Sequence, residues 1–250
     1  KLVNAVMTEC IATGGVFDGA DLTKANLSEA TITRASFTRS TMQSADLSRA
    51  QAEGAQFDDA DLTNSKLTEA TITGASFAGS TMQGADLSAA QAEGSTFDGA
   101  NLTKAKLTKS VLDNATFKKS QLQRAVLNEC NATGAIFDGA TMEHVELRGA
   151  TLVEATFTKS QLANAVMSEC IATGAVFDGA NLTNAKLTEA TITGASFTRS
   201  TMQSADLCGA QAEGATFDGA DLTNANLAGA TIISASFVGS TLSGVVFAGS

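Results

Sequence analysis

The chain has 250 residues, 44% of them apolar, and a formal net charge of −10. Pro, Trp and Tyr are absent, and no apolar run approaches the length of a membrane-spanning helix. The single His has no Cys or second His at ligand spacing, so a zinc site is excluded.

From Leu2 to Phe247 every fifth position is apolar, and two positions before each sits a small side chain. The 50 central positions hold 21 Leu, 13 Phe, 6 Met, 6 Ala and 4 Ile; 34 of the 50 small positions are Ala. An unbroken period of this kind defines a repeat architecture. A helix is excluded, because steps of five spread such side chains around its axis and leave no apolar stripe. A straight strand is excluded too, because its faces alternate with period two. Each pentad is therefore an extended piece plus a corner. In the pentad around Leu22, a turn near Thr23 and Lys24 keeps Ala25 pointing inward.

Further along, Phe17, Phe37, Phe57 and their successors to Phe237 recur at every fourth pentad, twelve times, and Phe247 alone lies outside the series. Phe stacks on Phe if one coil has four sides of one pentad each. With about 4.8 Å per coil the chain makes about 12.5 coils and a rod of about 60 Å. A slower period of eight pentads, two coils, lies on top. Ser40, Ser80, Ser120, Ser160, Ser200 and Ser240 occupy small inward positions, and each hydroxyl should bond to a backbone group. On one wall Ala12, Ala52 and Ala92 alternate with Ile32, Ile72 and Leu112, large over small. No linker or shift of composition interrupts the pattern, which predicts one continuous solenoid over 1–250.

The units A-D-L-T-K at 20–24, A-N-L-S-E at 25–29, A-D-L-T-N at 60–64 and A-N-L-T-K at 100–104 resemble the A-(D/N)-L-x-x unit of the pentapeptide-repeat family. The resemblance extends over essentially the whole chain. It implies an all-β fold, a right-handed quadrilateral β-helix with four pentads per coil. Some members resemble B-DNA in size and charge and protect or inhibit DNA gyrase.

Chemistry is sparse. Cys10, Cys130 and Cys170 sit at inward small positions, each followed by a central Ala, and Cys208 points outward. Cys130 and Cys170 are two coils apart, too far for a disulfide. Free thiols favour a reducing compartment such as the cytoplasm. His144 lies on a corner beside Glu143, the many Ser and Thr have no adjacent base, and the F-D-G and T-G glycines are turn residues. The sequence thus predicts no catalytic residue, no cofactor, no metal and no enzyme activity.

Outward positions carry what remains. Asp18, Asp58, Asp98, Asp138, Asp178 and Asp218 recur on alternate coils, with Arg39, Lys119, Lys159 and Arg199 on coils between them. This alternation suggests attraction across the ladder, and the six Asp are candidate partner-binding residues. The segment 101–124 carries Lys104, Lys106, Lys109, Lys118, Lys119 and Arg124 against Asp113 alone, a net +5 belt in a chain whose remainder sums to −15. These six cations are the second candidate set. The segment 222–250 has no charge. Leu2, Leu242, Val246, Phe247 and Ala248 are candidates for end-stacking between copies, because an uncapped coil is an open sheet edge.

The reading that follows is a non-enzymatic structural or protein-interaction scaffold, a stiff rod with an acidic surface and an unnamed protein partner. One alternative is a DNA mimic that binds a type II topoisomerase such as DNA gyrase. Duplex DNA of that length carries on the order of 35 charges, against a net −10 here. A second alternative is a head-to-tail filament through the ends. Direct nucleic-acid binding is not expected. Thr31/Thr33, Thr71/Thr73 and Thr191/Thr193 suggest a flat array as in ice-binding solenoids, but Gln51/Glu53, Gln91/Glu93 and Gln211/Glu213 interrupt it.

Overall fold

The computed structural model describes residues 1–250 and contains no α-helix. One unit of five repeats throughout: a bridging residue, an inward central residue, two turn residues and a small inward residue. In one such unit these are Asp21, Leu22, Thr23, Lys24 and Ala25. The Ala25 N–H donates to the Leu22 carbonyl at 2.9 Å, which closes the turn. Lys24 has φ 57°, the left-handed third position that a type II turn requires. The equivalent residue of every pentad is left-handed, 21 of them Gly and 29 not. This corner reverses the face, so the central and small residues both point inward, as the spacing predicts.

Coils pair in parallel at one fixed offset of four pentads, from Val6 with Asn26 to Asn226 with Val246. Four pentads therefore complete one coil. We number the four walls from the coil beginning at Asp21, with central residues Leu22, Leu27, Ile32 and Phe37. Four of the five N–H groups in a pentad meet backbone acceptors. Leu22 and Lys24 donate forward to the carbonyls of Thr41 and Gln43, Ala25 closes the turn, and Asn26 donates back to Ala5. The N–H of the first turn residue, Thr23 in this unit, has no backbone acceptor.

The interior is one apolar cluster of 76 buried residues. On the fourth wall the rings from Phe17 to Phe237 form a continuous stack, with centroids 4.7–5.1 Å apart and planes within 9°. The ladder spacing and the favourable range for aromatic pairs coincide here. Each buried Phe contributes about 1.5–3 kcal/mol by leaving water. Phe247 stands on the second wall and meets Phe237 edge-on at 6.1 Å and 84°. The third wall solves packing by alternation: Ile72, Ala92, Leu112 and Ala132 are all fully buried.

The inward Ser hydroxyls follow the predicted role with two exceptions. Ser80, Ser120, Ser160 and Ser200 each donate to the carbonyl of the preceding Phe, at 2.7–2.8 Å. The hydroxyls of Ser40 and Ser65 are buried and have no partner. Cys130 and Cys170 are buried free thiols, and desolvation pushes both up to about 12.

Candidate interaction surfaces

Away from the ends of the rod the central and small residues are committed to the core, which leaves the bridging and turn positions to face a partner. Their first task is structural. In part of the pentads a side chain takes up the orphan N–H of the first turn residue, in one of two ways. In the first, the bridging Asp or Asn of the same pentad turns back on it. Asp61 Oδ1 accepts from the Thr63 N–H at 3.0 Å and from its hydroxyl at 2.6 Å. Asp221 does the same for Thr223. These bonds favour the ionised carboxyl. For Asp61, partial burial raises the pKa, but the Thr63 hydroxyl, the Gln43 amide and the Thr63 N–H outweigh it and hold it below the ordinary value. For Asp221 the Thr223 hydroxyl leads, followed by Gln203, in the same direction. The signal in the sequence is an Asp or Asn two positions before a Thr or Ser.

In the second way the acceptor comes from the coil before: Asp113 for Thr133, Asn128 for Arg148, and above all the Asp series of alternate coils. Asp18, Asp58, Asp98, Asp138, Asp178 and Asp218 each accept the N–H of the equivalent residue one coil on, from Thr38, Ala78, Lys118, Thr158, Thr198 and Val238 respectively. Four of them also take a Ser hydroxyl, as Asp178 does from Ser196 at 2.6 Å. The expected attraction between these Asp and Arg39, Lys119, Lys159 or Arg199 is not what the geometry provides. None of those cations pairs with the series; Arg39 instead meets Asp59, at 4.0 Å, with both side chains mostly exposed. The backbone donor wins because it is fixed at the corner, whereas a long cation must be ordered for a contact worth only about 0–1 kcal/mol.

The structure divides the basic belt. Lys106 pairs with Asp86 at 3.7 Å and Lys109 with Glu129 at 3.5 Å. Lys104, Lys118, Lys119 and Arg124 are exposed and form no ion pair. On the fourth wall, Gly179 leaves a shallow groove between Lys159 and Arg199, lined also by Thr158, Asp178 and Thr198. The Thr rows of the third wall are broken as the sequence indicates: Thr33 and Thr73 donate their hydroxyls to Glu53 and Glu93. Of the end residues, Leu2 is half-buried, and Leu242, Val246, Phe247 and Ala248 are exposed. No group of three or more His, Cys, Asp or Glu is placed to hold a metal ion. No helix is long and apolar enough to cross a membrane.

The pentapeptide-repeat model matches the chain in eight copies, over residues 1–39, 45–84, 81–118, 120–158, 150–188, 160–199, 175–211 and 213–249. The chain belongs to the pentapeptide-repeat family. Solved members to which it is similar include HetL from the cyanobacterium Nostoc sp. strain PCC 7120, involved in heterocyst differentiation regulation. The identity is 26% over 89% of both chains, with a TM-score of 0.32. QnrB1, a plasmid-mediated fluoroquinolone resistance protein, is 21% identical over 72% of this chain and 90% of its own, with a TM-score of 0.44. A pentapeptide-repeat protein of the Arabidopsis thaliana thylakoid lumen is 25% identical over 43% of this chain and 68% of its own, with a TM-score of 0.21. No curated protein sequence matches the chain. Pentapeptide-repeat proteins fold as right-handed quadrilateral β-helices, and the four-pentad offset and absence of helix in this chain agree with that architecture.

Proposed function

We propose that this pentapeptide-repeat chain is one continuous right-handed solenoid of about 12.5 coils over residues 1–250, acting as a non-enzymatic protein-interaction scaffold. The observation that carries the reading is the division of labour along the pentad. Its inward positions build one continuous core, and a recurrent set of its outer polar groups is spent on backbone N–H groups of the same pentad or of the neighbouring coil. What varies from coil to coil is the pattern of outward charge, and such a pattern on a stiff support discriminates between protein partners.

A DNA mimic has less support. The recurrent Asp carboxylates are occupied by backbone donors, and a basic belt interrupts the acidic surface. The test of the scaffold reading is affinity capture of partners by the intact chain at physiological salt. The comparison bait is the same rod with its exposed charged residues replaced by Ser and Thr. Specific partners lost with the charges support the reading. Recovery of nothing above background by the intact chain opposes it. A supercoiling assay with purified gyrase separates the mimic, which would change the reaction at micromolar protein.

A further inference from the structure

Resting on the scaffold reading, we infer that the first wall within 101–124 is a docking face for an acidic peptide segment of a partner protein. The belt of six cations is not one surface. Lys106 and Lys109 are engaged by Asp86 and Glu129. The four cations without ion pairs all border the first wall. Lys118 and Lys119 lie on the corner that leads into it, and Lys104 and Arg124 stack on the corner that leaves it, one coil apart. Lys104, Lys119 and Arg124 are held at left-handed corners, with φ 60°, 56° and 58°. Their stems therefore project from fixed points of the frame.

Between these two corners the wall presents donors. Asn101 Oδ1 is occupied by the Thr103 N–H at 3.1 Å, and Gln123 Oε1 by the Thr103 hydroxyl at 3.4 Å. With their carbonyl oxygens so engaged, both side chains offer an amide NH2 to a ligand. Two rows of the wall thus combine four cations and two neutral donors with one carboxylate, Asp98 at the corner leading to Asn101, whose Oδ1 is taken by the Lys118 N–H; the set remains complementary to carboxylate oxygens.

The surroundings decide which anion fits. On the N-terminal side the next row is small and uncharged, with Ala78, Gly79, Thr81, Gln83 and Gly84. On the C-terminal side come Asp138 and Glu143, and Asp98 and Asp138 flank Lys118 in its own column. Favourable ground is therefore limited to about two coils, or about 10 Å. A nucleic acid carries charge on every nucleotide and would run onto the acidic flanks of a chain of net −10. A short peptide with a few Asp or Glu side chains can end within the footprint.

The test uses the full chain and a fluorescein-labelled tetrapeptide alternating Glu and Ser, which spans about 13 Å when extended, with a Gln/Ser tetrapeptide and a four-nucleotide oligothymidylate as comparison probes. Binding is read by anisotropy at low salt. Two double variants of equal charge change are compared, Lys104→Gln/Arg124→Gln on the free face and Lys106→Gln/Lys109→Gln in the paired set. Circular dichroism and thermal melts check that both stay folded. The docking face predicts binding of the Glu peptide but not the Gln peptide. It also predicts about a tenfold loss in the first variant and less than about threefold in the second. Equal losses would mean diffuse attraction and overturn the inference, as would tighter binding of the oligonucleotide or no binding of the Glu peptide. Any of those results would leave partner capture by other faces intact, so the scaffold reading is judged separately.

Discussion

The third and fourth walls share one backbone, yet they are held together differently. On the fourth wall a continuous column of Phe rings lies inside, and on alternate coils an Asp reaches forward to the free turn N–H of its neighbour. On the third wall the interior alternates Ile or Leu with Ala, and only the turn at Thr133 has its N–H taken by side chains, Asp113 and Asn131. The repeat thus tolerates quite different interiors provided that summed volume is kept across coils. Polar reinforcement is added wall by wall, by bridging Asp and Asn on the first wall and by the Asp series on the fourth.

The largest expected effect breaks the aromatic column. Phe137→Ala should destabilise by about 4 kcal/mol, since it removes a large buried side chain and two stacking contacts at once. Ile192→Val on the third wall should cost about 1 kcal/mol, because it deletes one buried methylene group between Ala172 and Ala212. Calorimetric melts of the two variants compare the walls directly, and equal costs would contradict the contrast.

Next come the caps. Asp178→Ala strips an acceptor from the Thr198 N–H and the Ser196 hydroxyl and should cost about 1–2 kcal/mol. Glu53→Ala on the third wall loses only a part-buried contact with the Thr33 hydroxyl and should cost less than about 0.5 kcal/mol. The same logic gives a pH dependence. Asp61 and Asp221 have depressed folded pKa values. Their contribution is present above the unfolded value of about 3.9 and is lost as pH falls through the lower folded value. Melting temperature should therefore fall increasingly below about pH 4, with a shallower fall in an Asp61→Asn/Asp221→Asn double variant.

Smaller still is the Ser contrast. Ser40→Ala removes a buried hydroxyl without a partner and should be neutral or stabilising by up to about 1 kcal/mol. Ser200→Ala loses a bond to the Phe197 carbonyl and should be neutral or destabilising by a similar amount. Thiol labelling sharpens the inside–outside assignment without a mutation. Cys208 is exposed and should react first, and Cys130 and Cys170, buried and shifted to about 12, should stay silent until unfolding.

Much of this fold can be read in the sequence because the period is carried by side-chain size. The recurrence of Phe at every fourth pentad alone determines how many pentads close a coil, and the corner near Thr23 and Lys24 follows from the change of face. Three features are not legible there. Arg39, Lys104 and Glu129 occupy left-handed corners, which their chemistry does not advertise; only the pentad phase shows it, once one corner is known. The Asp series looks like half of a charge ladder, because its true acceptor role links one coil to the next through a backbone donor that has no letter in the sequence. Ser40 and Ser80 share one position and one residue type, and differ only in where the hydroxyl points. For the candidate surface, the six cations stand out by composition, but dividing them into engaged and free groups requires the coil geometry that sets Lys106 against Asp86.

The most direct test of the account is amide hydrogen exchange along the fourth wall. The free turn donor and its alternate capping by Asp predict slow exchange at Ala78, Lys118, Thr158 and Thr198. Exchange should be fast at the intervening Asp58, Asp98, Asp138 and Asp178, whose own N–H groups have no acceptor in the protein. A protection pattern that alternates from coil to coil on this wall, and is absent from the third wall except at Thr133, would bear the account out. Uniform exchange along the fourth wall would contradict it.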